Sequence, residues 1–175
     1  MKVLVLDTSA FIAGFNPQSV DLKVFTVPAV ERELSLTSMA MLRFSAARDS
    51  GKLNVRRPTE SSLSQVREKS LELGEQLVLS EADIEILALA LDLKGSGLDP
   101  VVVSDDYAVQ NVAETLSIAY ASLATFGISY EFNWVLYCPA CFRRYPHAPI
   151  RNECQVCGTE LKRKVLRKLE AKKKL

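Results

Sequence analysis

Apolar residues gather into short continuous runs, set apart by longer stretches with helical spacing. Lys2-Val-Leu-Val-Leu6 is such a run, and it ends at the polar Asp7-Thr8-Ser9. Too short for a helix and apolar almost throughout, it predicts a strand buried on both faces. Val24-Phe25-Thr26-Val27 is a second run, stopped by Pro28, and Pro100-Val-Val-Val103 a third, stopped by Ser104-Asp105-Asp106. Residues 117–122 supply a last one. The gaps read as helices. The clearest starts at Ser80, has Asp83 three residues later in capping-box spacing, and ends at Lys94-Gly95. It places Ile84, Leu87, Ala88 and Leu91 on one face. Residues 37–49 and 60–74 read the same way, and Pro28 opens a further helix. Strands alternating with helices predict an α/β fold, a parallel sheet of about five strands flanked by helices.

After residue 123 the pattern weakens, and then Tyr130, Phe132, Trp134 and Leu136 alternate with Glu131, Asn133 and Val135. This predicts a strand of a different unit. A length of 175 residues suits one domain of about 120–130 residues with a small appendage. The expected division is a domain over 1–122, a linker over 123–132, a four-cysteine ribbon over 133–161 and a basic tail over 162–175. In the tail, Leu161, Val165 and Leu169 would line one face of a helix and leave the basic residues opposite.

Hydrophobic residues make up 48% and charged residues 25%, enough apolar surface for a core, so disorder over most of the chain is excluded. No apolar run approaches the roughly 20 residues that cross a membrane. The first run is broken at once by Asp7, unlike a signal peptide. A soluble, cytoplasmic chain without membrane contact is expected. The formal net charge of +1 argues against a polyanion-binding protein only while it is averaged. Residues 1–130 hold 11 Lys and Arg against 17 Asp and Glu, a charge of −6, and residues 131–175 hold 11 against 4, a charge of +7. An acidic unit thus stands beside a basic one suited to a polyanion.

Cys138-Pro-Ala-Cys141 and Cys154-Gln-Val-Cys157-Gly158 form two matched knuckles with twelve residues between them. Each knuckle presents two thiolates on a tight turn, and two of them complete a tetrahedral shell for one Zn²⁺. A closed four-thiolate shell leaves no position for substrate, so the zinc is structural and supplies folding energy to a module too small for its own core. In a reducing compartment disulfides are disfavoured. His147, between the knuckles, reads as a surface residue because the four cysteines already complete the set.

Four groups of carboxylates fall where a parallel sheet would gather them: Asp7 after the first strand, Glu33 on the helix opened by Pro28, Asp83 in the first turn of the Ser80 helix, and Asp105 and Asp106 after the third run. In open α/β sheets the site lies beyond the carboxyl ends of the strands. Carboxylates crowded there repel one another unless a divalent cation neutralises them, and hard oxygen ligands select Mg²⁺ or Mn²⁺. Singly, each has a plainer reading, as a helix cap for the aspartates and as a solvated surface charge for Glu33. Their grouping favours the metal.

Leu6-Asp7-Thr8-Ser9-Ala10-Phe11, Val27-Pro28-Ala29-Val30-Glu31-Arg32-Glu33-Leu34, Leu79-Ser80-Glu81-Ala82-Asp83 and Val103-Ser104-Asp105-Asp106-Tyr107-Ala108-Val109-Gln110-Asn111 resemble the four acidic motifs of PIN-domain ribonucleases. With the cysteine ribbon, nearly the whole chain resembles the archaeal form of the Nob endonucleases, which mature the 3′ end of small-subunit ribosomal RNA. The resemblance implies a PIN domain followed by a zinc ribbon, with Asp7, Glu33, Asp83 and Asp106 coordinating Mn²⁺ or Mg²⁺. Asp105 stays a candidate for the fourth position. Ser9 and Ser104 would orient ligands through their hydroxyls, Ser104 standing where the family usually has Thr. The implied partners are precursor small-subunit rRNA and the pre-ribosomal small subunit.

The chemistry implied is metal-assisted phosphodiester hydrolysis by one or two ions, leaving a 5′ phosphate and a 3′ hydroxyl. The acidic part contains no histidine, which excludes an imidazole acid/base mechanism. An acidic cleft repels RNA, so the basic part must hold it. Arg143, Arg144, Arg151, Lys162, Arg163, Lys164, Arg167 and Lys168 are candidates for phosphate contacts, and Phe142, Tyr145 and Trp134 for base stacking or for packing in the ribbon. Two other classes fit parts of the pattern: a non-catalytic RNA-binding adaptor and a toxin-type PIN ribonuclease. The ribbon speaks against the second and the complete acidic set against the first. Oligomeric state has no signature in the sequence.

Overall fold

Short β-branched runs do become the centre of a sheet. The computed structural model describes residues 1–74, 78–126, 130–145 and 153–170, the stretches 130–134 and 163–170 by backbone alone. His147, Arg151 and residues 171–175 lie outside the described residues. The chain divides into two units, Met1–Ile128 and Ser129–Leu175.

The first unit runs β1 (Lys2–Leu6), α1 (Thr8–Ala13), β2 (Lys23–Thr26), α2 (Pro28–Glu33), α3 (Met39–Asp49), β3 (Leu53–Val55), α4 (Glu60–Glu72), α5 (Glu81–Gly95), β4 (Asp99–Val103), α6 (Tyr107–Thr115) and β5 (Ala119–Ala121). All neighbouring strands are parallel, in the order β3-β2-β1-β4-β5. The chain winds outward from β1 through β2 to β3, then returns to place β4 on the other side of β1. The strand order therefore reverses between β1 and β4, and the crevice at their carboxyl ends is the topological switch point where α/β sheets place ligands. Asp7 follows β1, and Ser104-Asp105-Asp106 follow β4.

Val3, Val5 and Leu6 of β1 and Val102 and Val103 of β4 are fully buried, as expected of central parallel strands covered on both faces. The covering layers include Phe11 and Phe44, whose rings meet edge-on at 5.3 Å between centroids, and Ile86, Leu87, Leu89 and Leu93 of α5. Each such side chain stabilises the fold by about 1.5–3 kcal/mol. β3 has no counterpart in the sequence reading: Leu53-Asn54-Val55 is a three-residue edge strand with no apolar run to announce it.

The boundary between the two units, Ile128/Ser129, falls inside the expected linker over 123–132, part of which is structured. Leu123–Phe126 forms a 3₁₀ turn in which Leu123 is buried and Phe126 meets Phe15 edge-on at 5.2 Å. From Tyr130 the chain is already strand.

The second unit is a three-stranded antiparallel sheet of β6 (Tyr130–Tyr137), β7 (Arg144–Tyr145) and β8 (Lys162–Glu170), in the order β7-β6-β8. The expected helical tail is thus corrected to a strand over Lys162–Glu170 that pairs along the length of β6, with a bulge at Asn133/Trp134. A lone helix of that length is marginal in water, whereas pairing satisfies the backbone donors and acceptors of both strands. Among the described residues, no helix is long and apolar enough to cross a membrane.

Candidate active site and thiolate centre

Three helix N-termini carry the aspartates to the carboxyl edge of the sheet. Asp7 caps α1: one carboxylate oxygen accepts the Thr8 N–H, and the other accepts the hydroxyls of Ser9 and Ser104, each at 2.9 Å. Ser104, wholly buried, also accepts the Asp106 N–H at 3.1 Å, so a single hydroxyl ties two acidic residues together. Asp106 caps α6 through the Ala108 N–H at 2.9 Å. In α5 the capping box is complete, with Asp83 accepting the Ser80 N–H at 2.7 Å and Ser80 accepting the Asp83 N–H at 3.2 Å. Glu33, the last residue of α2, accepts a hydrogen bond from the Thr8 hydroxyl. The capping and grouping readings of the sequence therefore coexist in the same side chains.

Electrostatics separates these residues from ordinary caps. Asp83 is pushed up to about 8 by burial first and then by the charges of Asp7 and Asp106. Burial also raises Asp7 above the usual carboxylate range; hydrogen bonds from Ser104, Ser9 and Thr8 oppose the shift, and the Asp106 charge adds to it. Among the described residues no Lys or Arg forms an ion pair with Asp7 or Asp83. Two buried carboxylates, Asp7 and Asp83, with the half-buried Asp106 near enough to raise both, offer the hard oxygen donors that a divalent ion takes. Asp105 is set apart from its neighbour: its carboxylate accepts the Leu123 N–H at 2.9 Å and anchors the 3₁₀ turn, and burial raises its pKa.

Three contributors escaped the sequence reading. Thr8 donates to Glu33 and so brings α2 to the Asp7 edge. Gln110 donates to the Ser104 carbonyl at 2.8 Å and steadies the loop that carries Asp106; its place four residues after Asp106 on one helix face was a usable signal. Arg32 and Glu85 pair at 3.3 Å between α2 and α5.

In the second unit the four cysteine sulfurs lie within 4.8 Å of one another, a closure that the acidic side chains of the first unit do not reach among the described residues. Cys138 and Cys157 are 3.3 Å apart, and Cys141 and Cys154 3.5 Å. A tetrahedron with zinc–sulfur legs of about 2.3 Å has edges of about 3.8 Å, so the four-thiolate cluster can hold a zinc ion with side-chain shifts of about 1 Å. Cys138, Tyr145, Cys154 and Leu161 form a small core with Leu136 against it.

Tyr145 belongs to this core, which corrects its candidacy for base stacking. Its hydroxyl accepts the Gln155 N–H at 3.1 Å, leaving its proton to point at Cys154 Sγ, also 3.1 Å away. That hydrogen bond leads the effects that lower the Cys154 thiol to about 6, as suits a metal thiolate. Phe142, by contrast, is 74% exposed, and Arg143, Arg144 and Lys162 are exposed. Arg144, Tyr137 and Lys162 stand in one cross-strand row. Arg163, Lys164, Arg167 and Lys168 lie in β8.

A family model described as the PIN domain of ribonuclease matches residues 4–93, the stretch that carries Asp7, Glu33 and Asp83. Fold, switch-point carboxylates and this match define a PIN-domain ribonuclease. Endoribonuclease Nob1 of Methanothermobacter thermautotrophicus is 35% identical over 160 residues, 91% of either chain. Endoribonuclease Nob1 of Methanocaldococcus jannaschii is 34% identical over 174 residues, 99% of this chain and 83% of that one. Ribonuclease VapC1 of Thermoplasma acidophilum is 32% identical over 111 residues, 63% of this chain and 54% of that one. The chain belongs to the archaeal Nob1 family of PIN-domain endoribonucleases.

Proposed function

We propose that this endoribonuclease matures the 3′ end of small-subunit (16S) ribosomal RNA, cutting the precursor on the pre-ribosomal small subunit in the cytoplasm. The observation that carries a catalytic rather than an adaptor role is the buried pair Asp7 and Asp83 at the switch point, neither of which forms an ion pair with Lys or Arg among the described residues. Burying such charges costs several kcal/mol per ion unless a cation offsets it, a poor bargain for a surface that merely binds RNA.

Asp7, Asp83, Asp106 and Glu33 would hold Mn²⁺ or Mg²⁺. When bound, that ion supplies a hydroxide near neutral pH and stabilises charge on the departing 3′ oxygen. Ser104 and Ser9 fix the orientation of the Asp7 carboxylate through their hydroxyls, and Gln110 and Thr8 fix the segments that carry Asp106 and Glu33. Asp105 serves the adjoining turn. Zinc on the four cysteines is structural, and the basic second unit supplies phosphate contacts that the acidic first unit lacks.

The test is site mapping. Wild-type protein with Mn²⁺ should cut an RNA spanning the mature small-subunit 3′ end once, at that end, and leave an unrelated RNA of equal length whole. Equal cutting of both RNAs would assign a general nuclease of the toxin type, and no cutting under any divalent ion would leave the adaptor.

A further inference from the structure

The two knuckles share one backbone frame and part at the residue after the second cysteine. In the second, Gly158 follows Cys157 with φ of +71°, and its N–H donates to the Cys154 carbonyl at 2.8 Å. In the first, Phe142 follows Cys141 with φ of +58°, and its N–H donates to the Cys138 carbonyl at 2.9 Å. The knuckle demands the left-handed conformation at this position, which glycine adopts freely and a residue with a Cβ adopts at a cost. Gly158 meets the demand without strain and Phe142 does not, so the phenyl ring needs a use that packing within the ribbon does not provide.

Packing is excluded by exposure. Phe142 is 74% exposed, whereas Tyr145, three residues on, is 8% exposed and lies in the core around Cys138 and Cys154. The ring stands at the tip of a turn held by the metal site, on a backbone pinned by the Cys138–Phe142 bond and by the Cys138 N–H donating to the Arg143 carbonyl at 2.9 Å. The next two residues, Arg143 and Arg144, are exposed cations, and Arg144 is in line with Tyr137 and with exposed Lys162 across the sheet. A rigidly held aromatic face bordered by cations suits a polyanion that offers flat apolar faces of its own, as single-stranded RNA does.

We propose that Phe142 is a stacking platform for an unpaired base of the substrate RNA, with Arg143 and Arg144 neutralising the flanking phosphates. This rests on the RNA-binding reading of the second unit and adds to it the residue that prefers single strands over duplex.

The full-length zinc-loaded protein carrying Asp7→Asn, to prevent cleavage, is titrated with a single-stranded oligoribonucleotide of about 12 nucleotides and with a duplex of the same length. Adding Phe142→Gly restores the residue that the knuckle favours, so thermal stability and zinc affinity stay level or rise. Single-strand affinity falls about fivefold to a hundredfold, the range for losing one stacked base. Duplex affinity and the salt dependence of binding stay unchanged, since no charge is altered. Phe142→Trp keeps the affinity, and its added fluorescence over the Trp134 background is quenched by the single strand. Unchanged single-strand affinity in Phe142→Gly, or an equal loss for duplex, overturns the platform and leaves the nuclease reading standing. Failure of the parent protein to bind either RNA overturns both. Failure of Mn²⁺-dependent cutting by the wild-type protein, with the Phe142 effect intact, overturns the nuclease role alone.

Discussion

Replacing Asp83 by asparagine should stabilise the metal-free protein while removing its response to metal. Asp83 is 6% exposed, and its carboxyl titrates near 8 in the fold against 3.8 ordinarily. Between those values the folded chain holds a proton that the unfolded chain has lost, so stability falls as pH rises through about 4 to 8. At pH 7 the proton uptake costs about 1.4 kcal/mol for each pH unit above 3.8, about 4 kcal/mol in all. Asparagine takes up no proton and keeps an oxygen for the Ser80 N–H, which closes the capping box at 2.7 Å. Its buried amide N–H groups offset about 1–3 kcal/mol of the gain. A net stabilisation of about 1–3 kcal/mol raises the melting temperature by about 3–10 °C. Calorimetry of the zinc-loaded protein without Mn²⁺ or Mg²⁺ at pH 5, 7 and 8 reads the effect: the wild type loses stability with pH, and Asp83→Asn flattens the loss. Adding Mn²⁺ raises the melting temperature of the wild type and not that of the variant. A variant that melts below the wild type at pH 7 without metal, or a wild type equally stable at all three pH values, would refute the reasoning.

Further outcomes follow from the same geometry. Ser104→Ala removes the hydroxyl that joins Asp7 to the Asp106 N–H, so stability falls by about 1–3 kcal/mol and Mn²⁺ affinity, read by calorimetric titration, drops about 10–100-fold. Tyr145→Phe keeps the ring in the ribbon core and deletes the donor to Cys154; competition with a chromophoric chelator should show zinc affinity about 10–100-fold lower. Stripping zinc should unfold the second unit, whose buried core among the described residues is four side chains, and leave the first unit folded. Amide spectra that lose both sets of signals together would contradict that separation.

What the sequence disclosed follows from which signals are local. β1, β2 and β4 were legible because central parallel strands are apolar on both faces, so Val3–Leu6 and Val101–Val103 are continuous runs that polar residues end abruptly. β3 was not, because three residues at a sheet edge alternate too briefly to register. Leu161, Val165 and Leu169 misled because a spacing of four suits one face of a helix and gives no sign of a bulged strand, in which Val165 pairs with Trp134 and Leu169 with Glu131, on opposite faces. Only the free edge of β6, a distant fact, decides between them. The carboxylates were legible by position, directly after strands or in first turns. The separation of Asp105 from Asp106 was not, because it depends on Leu123, 18 residues away, drawing one carboxylate aside. The division of Phe142 from Tyr145 likewise depends on register, with Tyr145 paired to Leu136 and turned into the ribbon core.

The central claim is that the switch-point carboxylates hold the ion that hydrolyses RNA. It is tested most directly by following cleavage of a precursor RNA by wild-type protein and its Asp7→Asn variant across a Mn²⁺ titration, with the product ends determined chemically. A single wild-type cut that saturates with Mn²⁺, leaves a 5′ phosphate and a 3′ hydroxyl, and disappears in Asp7→Asn is the expected result. Equal cutting by both proteins, or a product ending in a cyclic phosphate, would contradict it.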